Sequence, residues 1–196
     1  QRLPQGAPFA APRFNVLNLA PRNLSASPTS VKIDSTTPNV EVVLKTGDST
    51  GVSSNGAYRQ KFAFLVDKDD AHRFGDTFFT RLTSEIKTQI YPSNRALFGD
   101  DPTAAEGNTV GLALDNDVTY FVLSRKVNAG DRSNVLGYFS LSDLLPASFS
   151  PYSNQAKILY LSADHAATAQ TDTTAFNDLC GTIAHELQHL LYSSRR

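Results

Sequence analysis

Two imidazoles and a carboxylate stand within five consecutive residues near the end of the chain, His185-Glu186-Leu187-Gln188-His189, a match to the H-E-x-x-H pattern. Residues four apart on an α-helix lie one turn above each other, so both imidazoles of such a helix reach a single cation at roughly 2.0–2.1 Å. Glu186, rotated about 100° from His185, sits close enough to hold a metal-bound water without ligating the ion. Zinc lowers the pKa of that water toward about 7; the carboxylate takes its proton as the oxygen attacks a carbonyl, then delivers it to the leaving amine. With four His and four Glu among 196 residues, a chance match somewhere in the chain has a probability on the order of 1 in 500. The plain alternative is a helix whose two histidines are solvated or hydrogen-bonded.

The surrounding residues predict the helix that this chemistry needs. Phe176, Leu179, Cys180, Ile183, Leu187, Leu190 and Leu191 follow helical spacing over about 173–192, with Thr173 or Thr174 as N-cap. The helix therefore buries one side and places position 186 beside the core. Gly181 and Ala184 leave little bulk near the first histidine, which allows another backbone to approach; Gly181 reads equally as a helix irregularity costing up to about 1 kcal/mol.

Upstream, Pro4, Pro8 and Pro12 make residues 1–12 an extended arm. Residues 13–60 read as a small β-rich segment, with strands at Val31–Ile33 and Val40–Leu44 and turns at 46–51 and 53–56. Phe62–Val66 is a further strand, at the start of a segment over 61–196 that is expected to be the N-terminal part of a catalytic domain. Phe74, Phe78, Leu82, Ile86 and Ile90 mark a helix from Ala71 that Pro92 ends. An acidic loop, 99–107, follows. Val110–Leu114 and Val118–Leu123, parted by Asp115-Asn116-Asp117, predict a hairpin, and Ala156–Leu161 predicts a strand. The expected fold class is α+β, a mixed sheet packed on helices.

Composition narrows the setting. Eighteen basic and nineteen acidic residues give a net charge of −1 without long like-charged runs, which argues against an electrostatic grip on nucleic acid or anionic lipid. No apolar stretch approaches the roughly 20 residues of a membrane span. A single Cys among many small polar residues fits a bacterial secreted or cell-envelope protein without a disulfide frame, although a cytosolic reading stays open. Gln1–Gly6 has no signal-peptide character, so the chain reads as a mature or shortened form.

Beyond the zinc motif, an ordered series of landmarks resembles the hyicolysin family of secreted bacterial metallopeptidases, which belongs with the thermolysin-like zincins. These are Ile90-Tyr91-Pro92, Ala96-Leu97-Phe98-Gly99, Gly137-Tyr138-Phe139 with Asp143-Leu144, Ser153-Asn154-Gln155, Ile158-Leu159-Tyr160-Leu161, and Thr182 through Leu190. The resemblance spans roughly 60–192. It implies a zincin-like mixed sheet with an active-site helix, zinc on His185 and His189, Glu186 as general base, and endopeptidase cleavage of protein or peptide substrates. It also implies a third ligand from downstream, usually a Glu, whereas seven residues follow His189 here. That ligand is expected beyond Arg196, the chain being a shortened or processed piece ending in Arg195-Arg196. An upstream ligand, His165 or Asp164, and a degenerate inactive relative are the alternatives; the latter would be a secreted binding or adhesion module. Zincins commonly add substrate as a strand to the sheet edge beside this helix, and Ala156–Leu161 or Tyr138–Ser140 is the candidate edge.

Other polar residues have plainer readings beside their chemical ones. Cys180, five residues before His185, faces away from the clamp and reads as a small buried hydrophobe. His72 opens the Phe-rich helix as a solvated or capping residue. Asp67-Lys68-Asp69-Asp70 offers oxygen ligands of the kind Ca2+ takes, and equally a capping turn. Asp115-Asn116-Asp117 shares that ambiguity.

Overall fold

Six strands form one sheet: Ser30–Val31 (β1), Val40–Asp48 (β2), Lys61–Asp67 (β3), Val118–Ser124 (β4), Gly137–Phe139 (β5) and Lys157–Ser162 (β6), in the order β1-β2-β3-β4-β6-β5. The computed structural model describes residues 30–34, 39–48, 61–109, 111–114, 117–129, 132 and 134–193. The expected arm at 1–12 and turn at 53–56 lie outside those residues. β3, β4 and β6 run parallel, while β2 joins β3 and β5 joins β6 antiparallel. The protein is therefore α+β with a mixed sheet, and the described part of the 13–60 segment contributes two strands to it.

Strand alternation divides the core. Phe62, Phe64, Val66, Phe121, Leu123, Leu159 and Leu161 face the helices, and Leu65, Tyr120, Val122, Ile158 and Tyr160 face the opposite side. Asp76–Glu85 (α1), Tyr91–Phe98 (α2), Ala163–Thr168 (α4) and Thr173–Ser193 (α5) lie on the first side; Ala104–Thr109 (α3) is a short helix after the acidic loop.

Two sequence expectations are corrected. Pro92 does not end the Phe-rich helix, which runs from α1 through a π-helical turn, Ile86–Ile90, into α2. Tyr91 N–H reaches back five residues to the Ile86 carbonyl. That widened turn gives the proline ring room where an α-turn would clash. The hairpin is also absent, because β4 has a parallel neighbour on each side. The backbone of 112–114 bonds elsewhere: Leu112 N–H to the Gly107 carbonyl, Ala113 N–H to that of Leu144, and Leu114 N–H to Asn108 Oδ1. Asp115 and Asn116 lie outside the described residues.

Charged groups at the strand ends find partners within the chain. Lys157, 1% exposed, donates to Asp101 Oδ2 at 2.6 Å and to the carbonyls of Pro102 and Asp117. Asp67 accepts from Ser124 Oγ at 2.7 Å and Lys126 Nζ at 2.9 Å, and Asp70 from the Arg125 amide and guanidinium. Burial pushes the Asp67 carboxyl up, but the bonds from Lys126, Ser124 and the Asp69 amide outweigh it and leave a net lowering. The turn suggested for Ca2+ thus has two of its three carboxylates committed to Ser124, Lys126 and Arg125.

On the far face, residues 30–34 lie as a strap that seats Val31 and Ile33 in the core. Asn154 reads the Lys32 backbone at both ends: Lys32 N–H donates to Oδ1 at 2.9 Å, and Nδ2 donates to the Lys32 carbonyl at 2.7 Å. Asp143 accepts from the Asn154 amide and Nδ2 on Oδ1 and lies 2.7 Å from the Tyr160 hydroxyl through Oδ2. That hydroxyl also lies 2.9 Å from the Lys32 carbonyl. One phenolic proton cannot serve two acceptors. With the carboxylate ionised Tyr160 donates to Asp143 Oδ2; a proton on Asp143 would let the acid donate to Tyr160 and free the phenol for Lys32.

Burial raises the Asp143 carboxyl to about 6, against opposing bonds from Tyr160 and Asn154. The folded state therefore holds a proton that the unfolded chain releases above 3.8. The stability from this group is complete below that value and is lost as pH rises through about 6, amounting to about 3 kcal/mol. Asp143→Asn should keep the bond pattern and remove this component. Melting curves between pH 5 and 7.5 should show the variant gaining on the parent as pH rises.

Candidate active site

α5 positions every residue of the H-E-x-x-H motif. Its N-cap is Asp172 rather than Thr173 or Thr174: Asp172 Oδ1 accepts the Ala175 N–H at 2.9 Å, the reach of a side-chain cap to the third helical residue. Phe176, Leu179, Ile183, Leu187, Leu190 and Leu191 are buried against the sheet. This wide apolar face orients the helix, leaving His185 and His189 on an exposed flank and turning Glu186 inward to 9% exposure.

The histidine rings converge. Their Nε2 atoms lie 3.1 Å apart with ring planes at 88°. Two nitrogens on one tetrahedral zinc, each roughly 2.0–2.1 Å from it, are separated by about 3.3 Å. The pair thus has the span of one edge of a zinc tetrahedron. Facing lone pairs repel at this distance, so the contact needs a proton or a cation between them.

Glu186 is held by the sheet edge. Ser162 N–H donates to the Leu136 carbonyl at 2.8 Å. Antiparallel alternation then turns the amides of 137 and 139 away from β6, onto the open side of β5. From there Phe139 N–H donates to Glu186 Oε2 at 2.9 Å. Oε1 has no partner among the described residues. One oxygen is anchored and the other is available, the arrangement a general base requires.

β5 and α5 approach closely at a glycine the sequence reading overlooked. A Cβ on Gly137 would stand 2.8 Å from both Thr182 Cγ2 and the Tyr160 carbonyl oxygen, whereas at Gly181 nothing lies within 4 Å. The close backbone approach expected at Gly181 is therefore made at Gly137. A glycine inside a strand of bulky neighbours was the available signal. Of the two edge candidates, Tyr138–Ser140 overlaps β5, which is the sheet edge, while Ala156–Leu161 overlaps β6, an interior strand.

The upstream ligand candidates do not join the pair. Asp164 is ion-paired with Arg73 at 2.8 Å, and His165 Nε2 is buried with no hydrogen-bond partner among the described residues. Among those residues no group of three or more His, Cys, Asp or Glu is gathered to hold a metal. Arg195-Arg196 lies outside them. His72 is exposed on the 3-10 turn Ala71–Arg73. Cys180 is half-buried at the core margin, where burial pushes its thiol up to about 11. It remains a neutral thiol at ordinary pH.

No protein-family model matches the chain, and no curated protein matches it either. Among the described residues no helix is long and apolar enough to cross a membrane.

Gly137→Ala should force β5 off α5 at a cost of about 1–3 kcal/mol, as overpacking does. Urea unfolding would measure it. Adding Thr182→Ser should restore only part of the loss, because the Tyr160 carbonyl stays in the way.

Proposed function

We propose that this protein is a zinc-dependent endopeptidase of the thermolysin-like, hyicolysin type, exported by a bacterium. One observation carries the reading: an imidazole pair with the span of a zinc tetrahedron edge stands next to a carboxylate anchored on one oxygen only. The residues fit zinc as half of a ligand set. His185 and His189 would hold the ion, together with a further ligand that is not among the described residues. Bound zinc supplies Lewis acidity, lowering the pKa of water and polarising a carbonyl.

The chain's own groups do the rest. Glu186 Oε1 takes a proton from water as the water oxygen bonds to the peptide carbonyl carbon. The same oxygen then passes that proton to the amide nitrogen as the C–N bond breaks. The open edge of β5 offers backbone groups to an extended peptide beside the carboxylate, so protein substrates would bind by strand addition. The lack of a third donor among the described residues favours a second reading, a secreted binding or adhesion module that keeps the scaffold without turnover.

Zinc content and hydrolysis of labelled casein by the full-length protein discriminate the two. The endopeptidase should carry about one zinc per chain. Glu186→Ala should lower kcat/KM by 10²–10⁴-fold or more with zinc retained. His189→Ala should lose the metal. A full-length protein that neither binds zinc nor cleaves casein would leave the binding module.

A further inference from the structure

We propose that the backbone N–H of Phe139 is a positioning group for Glu186, with Gly137 setting the spacing that lets it act; this rests on the endopeptidase reading above. A glutamate has three side-chain torsions, and each is a way for a base to miss its proton. Burial restrains the stem of Glu186, which is only 9% exposed. The carboxylate plane needs a separate restraint, and the 2.9 Å bond from Phe139 to Oε2 provides it. The donor is rigid because it belongs to a strand paired through Tyr138↔Tyr160 and Phe139↔Leu159. Oε1 is then aimed by the rotation that remains.

The arrangement has a consequence for substrate. Gly137 and Phe139 present their amides and carbonyls to the open edge of β5. The Phe139 N–H is occupied by Glu186, so a peptide adding to this edge would pair with the Gly137 N–H and the carbonyls of Gly137 and Phe139. The base thereby excludes one register of strand addition. Gly137 is required at its position because a side chain would press on the Tyr160 carbonyl and Thr182 and carry β5, with the Phe139 amide, away from α5.

Two variants separate the amide from the side chain. Phe139→Ala keeps the N–H; Phe139→Pro removes it at an edge position where proline is compatible with a strand. In the full-length zinc-loaded protein, with casein as substrate, Phe139→Pro should lose kcat by on the order of 100-fold, at least about 10-fold more than Phe139→Ala loses. KM and zinc affinity should change little in either. Hydrogen exchange at the Phe139 amide gives a readout independent of turnover. It should be slow in the parent and in Glu186→Gln, which keeps an acceptor, and at least 10-fold faster in Glu186→Ala. A folded Phe139→Pro with parental kcat overturns the proposal. So does a Phe139 amide that exchanges equally in the parent and Glu186→Ala, and that measurement decides the matter if the proline variant does not fold. A parent protein that binds zinc but cleaves nothing overturns the endopeptidase reading itself, and this inference with it.

Discussion

A carboxylate placed at the margin of a core is costly unless a donor meets it, and for Glu186 that donor is one backbone amide on the sheet edge. The bond from Phe139 ties the last helix to the last strand of the sheet order, two elements joined otherwise by side-chain packing. Its geometry demands that β5 lie antiparallel at the edge, so that the 139 amide faces outward. It demands too that nothing larger than hydrogen occupy position 137. The histidine pair needs less from the fold, since one helical turn sets its spacing. Site geometry therefore divides into a local part, the imidazole clamp, and a part shared between helix and strand, the alignment of the carboxylate.

The same economy holds wherever charge is buried in this protein. Lys157 is enclosed by a carboxylate and two carbonyls, Asp67 and Asp70 by cations following β4, and Asp143 by an amide and a phenol. These groups cluster at strand ends, where the backbone leaves the sheet and its hydrogen bonds need other partners. Asp143 differs from the rest in being met by an amide and a phenol rather than by a cation, so burial dominates and its carboxyl rises to about 6. Asp143, Asn154 and Tyr160, on three separate segments, meet around the backbone of Lys32 and close the sheet's second face.

Legibility in the sequence followed the range of the interactions involved. The strands at 62–66 and 156–161 and the final helix were readable because hydrophobic periodicity reports a local repeat. Pro92 misled because its usual effect assumes an α-turn before it, and a π-turn stands there instead. The hairpin at 110–123 misled because two apolar runs parted by a polar break look alike whether they pair with each other or with distant strands. Bulky strand neighbours set Gly137 apart from the helical Gly181, but only the neighbour across the gap shows which glycine is needed and which is tolerated.

By itself, the sequence determined the chemistry on offer and its helical spacing: two imidazoles one turn apart and a carboxylate between them. It also determined that the helix bearing them had a face to bury, since both properties are written in residues a few positions apart. Tertiary structure alone decided which strand lies at the edge, which amide reaches Glu186, and which carboxylates are spent on neighbouring cations. Those outcomes depend on pairing between segments separated by tens of residues, such as the 47 that part Phe139 from Glu186, and no local pattern encodes which of many apolar runs will be neighbours.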